Sequence, residues 1–219
     1  PAIITVTIDG AGLMVTHTIR RKLSPAQLER RDRILTATRE IISNEGSNAL
    51  NMQDVAKKAG VSRVTLYRYY SSREHLINDM ALAWGLSLID RLQRATPPGN
   101  TVGEKLTAVF ASIFEEAHQH PNLIAVTLNS LISPDYASVE SHVDVEQLLP
   151  SLLNMVIAEA EVHDAEYVLG ALSRLTLANL LYINSGRSDT EEAVSYSAHV
   201  ARLLYGDELW NRQEADTDT

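Results

Sequence analysis

Three residues, Gly60-Val61-Ser62, are all that separate two stretches that each read as a short helix, Asn51 to Ala59 and Arg63 to Tyr69. So short a connection makes the two helices cross sharply, which is the geometry of a helix-turn-helix. Asn51 is a good N-cap for the first, Asp54 stands near the positive end of its dipole, and Gly60 ends it. Upstream, Ile34, Leu35, Thr38, Ile41 and Ile42 share one face of a further helix that stops at Asn44-Glu45-Gly46, where glycine supplies a left-handed cap. Val55, Ala56, Ala59, Val61 and Leu66 have the spacing of a buried seam, its alanines small enough to let helices approach closely.

Beyond this segment the apolar residues keep a helical period, and no convincing run alternates as a strand would. A helix over 73–94, capped by Ser71 or Ser72, carries Leu76, Met80, Trp84 and Leu88 along one stripe, and Thr96-Pro97-Pro98-Gly99-Asn100 breaks the chain after it. Further helices are expected over 101–119, 121–132, 144–160, 164–184 and 189–205, with Ser133-Pro134-Asp135 as a loop and Gly186 turning the last two into a hairpin. The expected fold is all-α with about nine helices. It divides into an N-terminal extension (1–24, expected to be flexible), a three-helix helix-turn-helix domain (25–75), a helical ligand-binding and dimerisation domain (76–208) and an acidic tail (209–219). Residues 1–19 read equally as a tail, a short strand, or an over-called gene start upstream of Met14.

A net charge of −9 would ordinarily argue against a polyanionic partner. The distribution reverses that inference. Residues 1–76 hold 12 Lys and Arg against 7 Asp and Glu, a balance of +5, whereas residues 77–219 hold 7 against 21, a balance of −14. A basic head on an acidic body suits nucleic-acid binding by the head alone.

The chain has no cysteine, which removes disulfides, thiolate metal sites and cysteine nucleophiles. No stretch approaches ~18 uninterrupted apolar residues, and no basic segment precedes an apolar run at the N-terminus, so neither a membrane span nor a signal peptide is expected and the protein reads as cytoplasmic. His118 and His120 point about 200° apart on a helix and cannot share an ion. Carboxylates are scattered without a candidate base or nucleophile beside them, and no phosphate-cradling glycine loop appears. No catalytic residue, metal or cofactor is expected, and the protein is not expected to be an enzyme.

From Arg33 to Leu76 the chain reads RILTATREIISNEG over 33–46, then MQDVAKKAGVSRVTLYRYYSSREHL over 52–76. These residues resemble the head of the TetR family of bacterial transcription regulators, in register over about 44 positions. Two positions depart from the usual pattern: Tyr70 stands where Phe is usual and Arg73 where Lys is usual. Both keep an aromatic and a cation in place.

The helix begun by Arg63 is too short to bury all of Arg63, Val64, Thr65, Tyr67, Arg68 and Tyr69, so several face outward. Arg63 and Val64, at its start, are the base-reading candidates, since arginine can bond guanine bidentately and an apolar side chain can touch a thymine methyl. Thr65, Tyr67, Tyr69 and Arg73 are expected to position the DNA backbone, a role the resemblance also implies, and Ser62 is a further DNA-binding candidate. Asn51 and Gln53 are candidates for added phosphate contacts. Arg68 is a secondary candidate, a salt bridge or solvated face being its plain alternative, and amphipathic packing is that of Tyr67 and Tyr69. The clusters Arg20-Arg21-Lys22 and Arg30-Arg31 read as a phosphate or minor-groove arm or, equally, as solvated charge.

The resemblance implies a palindromic operator of double-stranded DNA, a homodimer and a small-molecule effector. The long apolar stripes of the helices over 164–184 and 189–205, the eighth and ninth, suit a four-helix dimer bundle. Trp84, Phe110, Phe114, Leu128 and Met155 are candidates to line an effector cavity, although Phe and Met at helical spacing are more often core. HPNL at the sixth helix and ARLLYGD near the end bear a weaker similarity to TetR regulators of actinobacterial steroid catabolism, which implies a hydrophobic effector, steroid-like or an acyl-CoA. The expected function is a ligand-released repressor. Two rivals carry different chemistry: a nucleoid or division factor of the same fold without an effector, and an enzyme or carrier that uses the helical cavity.

Overall fold

The computed structural model describes residues 5–9, 12–16, 24–95, 97–131, 148–157 and 164–212. Among these, β1 (Thr5–Asp9) and β2 (Gly12–Thr16) pair antiparallel with Thr5 opposite Thr16, so part of the 1–24 extension is a hairpin, the strand alternative left open above. The remaining elements of the described chain are helices: α1 (Pro25–Glu45), a short 3-10 turn (Ser47–Ala49), α2 (Met52–Lys58), α3 (Arg63–Tyr69), α4 (Arg73–Arg94), α5 (Val102–Gln119), α6 (Pro121–Leu131), α7 (Leu148–Ile157), α8 (Ala165–Asn184) and α9 (Thr190–Trp210). The loop expected at 133–135, the outer ends of the helix read over 144–160, the Arg20-Arg21-Lys22 cluster and the tail from residue 213 lie outside the described residues.

Residue contacts divide the chain into two compact units, 1–87 with 120–145, and 88–119 with 146–219. In the first, α1 starts where Ser24 and Gln27 exchange side-chain to backbone hydrogen bonds with Pro25 between them, a capping box. Ile34, Leu35, Ala37, Ile41 and Ile42 of α1 are buried, and the Thr38 hydroxyl, buried with them, is satisfied by the Ile34 carbonyl oxygen at 2.8 Å. α1 packs on α2 and α6. Asn122, in the first turn of α6, donates to the Ser43 carbonyl oxygen near the end of α1 at 3.0 Å. Ser130, near the other end of α6, donates to the Asn78 side-chain oxygen of α4 at 2.9 Å, both residues being buried.

In the second unit α5 packs along α9, and α7, α8 and α9 complete the layer. α5 has one strongly apolar face, with Leu106, Val109, Phe110, Ile113 and Phe114 buried. Gly103 lets the ring of Trp210 lie against α5, where a Cβ would stand 2.3 Å from a ring carbon. Gly186, at φ +69°, supplies the left-handed turn between α8 and α9. Within that hairpin the buried Asn179 donates to the Ser197 hydroxyl at 2.9 Å. α9 is interrupted at Gly206 (φ 76°, ψ 161°) and resumes through Trp210. Leu209 and Trp210, the first residues of the acidic tail as expected from the sequence, belong to α9, Leu209 buried and Trp210 seated on α5.

Candidate nucleic-acid interface

The turn between α2 and α3 is built from three local choices. Asn51 caps α2 by accepting from the backbone N–H groups of Gln53 and Asp54 at 3.0 and 2.9 Å, and its own amide nitrogen donates to the Asp54 carboxylate. Gly60 takes φ +65° with open space where a side chain would lie. Ser62 caps α3 by accepting from the Thr65 N–H at 3.1 Å, and its hydroxyl lies 2.8 Å from the Thr65 hydroxyl.

α3 then sorts its seven residues. Leu66 is buried at 0% exposure, while Arg63, Val64, Tyr67 and Arg68 are exposed. One turn apart, the Arg63 guanidinium lies 5.6 Å from the centre of the Tyr67 ring, which orders both side chains. Val64 is 73% exposed, an isolated branched apolar group in water. The outward surface thus combines two cations, an aromatic hydroxyl and one methyl-bearing side chain, a combination suited to phosphates and major-groove base edges. Gln53 is exposed in the first turn of α2.

Other candidates turn inward. Thr65 is half-buried and shares the cap with Ser62. Tyr69 is half-buried and donates from its hydroxyl to the Gln27 carbonyl oxygen of α1 at 3.3 Å. The Arg73 guanidinium donates to the carbonyl oxygens of Leu50 (2.9 Å) and Ser47, fastening the connection between α1 and α2 to the start of α4. Lysine, the usual residue there, lacks the planar fork that reaches two acceptors.

Arg31, considered above only for a phosphate or minor-groove arm, forms a part-buried network with Tyr70 and Asp79, which had no site role in the sequence reading. Arg31 of α1 bonds both Asp79 carboxylate oxygens of α4, at 2.7 and 2.8 Å, and the Tyr70 hydroxyl donates to Asp79 Oδ2 at 2.7 Å. Burial of Arg31 works against its charge, but the Asp79 carboxylate and the Tyr70 hydroxyl together more than offset this and raise its pKa. Burial, reinforced by Asp79 and opposed by Arg31, pushes the Tyr70 hydroxyl well up, so it stays a donor. Arg31 is thereby withdrawn from the solvated arm considered for Arg30-Arg31. The only mark of this network in the sequence was Tyr70 in a position usually held by Phe.

The effector candidates fall into both units. Trp84 and Leu128, in the first, are buried, and the Trp84 ring meets the His120 ring edge-on with centroids 6.2 Å apart. Phe110 and Phe114, in the second, are fully buried and stacked at 6.4 Å, whereas Met155 is 38% exposed.

A basic, capped, two-helix head with one outward-facing helix defines a helix-turn-helix regulator of transcription. Comparison with known proteins agrees. Residues 34–80 match the profile of the bacterial regulatory proteins of the tetR family. The HTH-type transcriptional repressor KstR of Mycobacterium tuberculosis (strain ATCC 25618 / H37Rv) is 34% identical over 188 residues, 84% of this chain and 84% of its own. A TetR transcriptional regulator from Rhodococcus sp. RHA1 superposes with a TM-score of 0.65 over 83% of this chain and 97% of that one, at 23% identity. The regulator FadR from Bacillus subtilis, solved in complex with stearoyl-CoA, shares the fold with a TM-score of 0.58 at 20% identity, over 80% and 97% of the two chains. The chain belongs to the TetR family of transcriptional regulators. Membership agrees with the all-α expectation and with a regulator rather than an enzyme.

Proposed function

We infer that the chain is a cytoplasmic homodimeric repressor that binds a palindromic operator through α3 and is released by a small hydrophobic ligand. The observation that carries this reading is the outward face of α3, where Arg63, Val64, Tyr67 and Arg68 stand exposed while Leu66 fixes the helix from behind. Arg63 and Val64 read bases, and Tyr67 and Arg68 hold phosphates with help from Asn51 and Gln53. Ser62, Thr65, Tyr69 and Arg73, whose side chains bond within the head, hold α3 where it can be read. Residues 25–75 serve as the DNA-binding domain and 76–208 as the effector and dimerisation body.

Dimerisation is supported by the exposed faces of α8 and α9. Tyr167, Ala171, Arg174, Ala178, Leu181 and Tyr182 form one exposed stripe on α8, and Tyr196, His199 and Leu203 another on α9. Aromatic and leucine side chains at this spacing suit helices that meet a second copy. Among the described residues no helix is long and apolar enough to cross a membrane.

For the effector, the apolar and aromatic character of the candidates in either unit taken by itself, Trp84 and Leu128 in the first and Phe110, Phe114 and Met155 in the second, suits a steroid-like molecule or an acyl-CoA. The same fold in FadR was solved with stearoyl-CoA bound. Ligand and operator weaken each other's binding in this reading.

The deciding experiment enriches duplexes from a randomised library with the full-length protein at low ionic strength. An inverted repeat with half-sites about 34–36 Å apart is the expected product. Absence of any enriched sequence would falsify operator recognition.

A further inference from the structure

Asp79 ties two elements of the head to α4 through one carboxylate. It accepts from Arg31 of α1 at 2.7 and 2.8 Å and from Tyr70 at 2.7 Å. Tyr70 caps the C-terminus of α3, its N–H bonding the Leu66 carbonyl oxygen at 3.0 Å, and its side chain is buried with 2% exposure. The Arg31 and Asp79 side chains are sheltered as well, at 22% and 14% exposure. The carboxylate thus holds the trailing end of the DNA-facing helix and the second turn of α1 at once.

Packing alone does not account for this arrangement. Phe at position 70 would fill the same buried space, and apolar side chains in place of the whole Arg31, Asp79 and Tyr70 set would often be as stable or more so. What the polar network adds is direction, because three short hydrogen bonds to one carboxylate fix mutual angles that apolar contacts leave softer.

We propose that Asp79 is a positioning residue for operator recognition, setting through Tyr70 and Arg31 the angle at which α3 is presented from α4. The inference rests on the reading of α3 as the recognition helix. Bidentate contacts to base edges fail with small displacements, whereas attraction to phosphates is set mainly by charge and tolerates them. Loosening the network therefore removes discrimination between sequences and leaves general DNA affinity in place.

The test uses the full-length protein with Tyr70→Phe, Asp79→Asn and the double variant. The probes are a duplex enriched by the wild type from a randomised library and a shuffled duplex of equal length, at one salt concentration. Binding is measured at a temperature where melting curves show each variant folded. Tyr70→Phe is expected to weaken the enriched duplex about 3- to 10-fold, and Asp79→Asn about 10- to 30-fold, with the shuffled duplex within about twofold. The double variant should be no weaker than Asp79→Asn alone, since both act on one network. A lowered melting temperature with an unchanged ratio between the two duplexes would overturn the inference and leave the network purely structural. If Asp79→Asn does not fold, Tyr70→Phe decides alone, because its ring keeps the buried space filled. A wild type that enriches no duplex would remove operator recognition itself and this inference with it, an outcome distinct from an unchanged ratio.

Discussion

Arg73, in the first turn of α4, reaches back to Leu50 and donates from Nε to its carbonyl oxygen at 2.9 Å, while Nη2 serves the Ser47 carbonyl oxygen. One guanidinium thereby closes the connection between α1 and α2 against α4. Hydrogen bonds from a charged donor to half-buried carbonyl groups contribute about 1.5–3 kcal/mol. Arg73→Ala is accordingly expected to lose about that much stability in urea titrations, with little change in how nonspecific DNA binding depends on salt. Intact stability combined with a salt slope lower by about one would instead make Arg73 a phosphate contact.

Arg63 projects from the start of α3 with its guanidinium over the Tyr67 ring. Arg63→Ala should cost about 1–3 kcal/mol on the operator and relax the base preference at one position per half-site. Repeating the library enrichment with the variant reads this directly. A loss spread evenly over every position would mean that Arg63 only neutralises phosphate.

Much of the head was legible because its signals are local. α3 spans Arg63–Tyr69 and α4 spans Arg73–Arg94, as the Gly60-Val61-Ser62 turn and the serines before Arg73 indicated, since such signals act on neighbours a few residues away. α1 begins well before the stripe that opens at Ile34, because its first turns carry charge rather than a periodic apolar face; the capping box of Ser24 and Gln27 was the local mark of its start. The hydrogen bonds that Tyr69 and Arg73 make within the head and the network on Asp79 were not legible. Arg31 and Asp79 lie 48 residues apart, and a polar pair between elements leaves no period in the sequence. The helix read over 189–205 runs on past Gly206 for a similar reason, since what holds Trp210 is Gly103 on another helix.

The exposed stripes of α8 and α9 give the homodimer reading a direct check. Leu203 is 71% exposed and Tyr182 52%, so replacing both with Glu disturbs little within the protomer. Like charges brought together across a two-fold axis would oppose association. The Tyr182→Glu/Leu203→Glu variant is expected to sediment as a monomer with unchanged helical content. Its operator affinity should fall about 100-fold or more, because a monomer engages a single half-site. Retained dimerisation would place the interface elsewhere.

Gly103 and Trp210 make a second check, confined to the second unit. The Trp210 ring occupies the space of a Cβ at Gly103, and the Val102 N–H donates to the Arg212 carbonyl oxygen at 3.2 Å, holding the end of the described chain against the start of α5. Gly103→Ala forces the ring outward and should cost about 1–3 kcal/mol. Adding Trp210→Leu, which clears the space, should recover part of that loss. Equal stability of Gly103→Ala and wild type in urea would show that the ring is not seated there in solution.

Alkaline pH provides a test of two buried phenols. Burial pushes the Tyr205 hydroxyl up, and burial together with the Asp79 carboxylate pushes up that of Tyr70, although Arg31 opposes the shift. Below the ordinary value of 10.0 both phenols are protonated whether the chain is folded or not. As pH rises past it, the unfolded chain gives up protons that the folded chain retains, so stability declines toward the raised folded values. The slope is up to about 1.4 kcal/mol per pH unit for each group. The two phenols differ in what they bond. Tyr70 donates to Asp79, so Tyr70→Phe should flatten the alkaline decline while lowering stability at neutral pH. The Tyr205 hydroxyl meets no hydrogen-bond partner among the described residues, so Tyr205→Phe should flatten the decline while holding or raising neutral stability, by up to about 1–3 kcal/mol. Urea midpoints between about pH 7 and 11 separate the two cases. A Tyr205→Phe variant that is weaker at pH 7 would show that the hydroxyl finds a partner in solution.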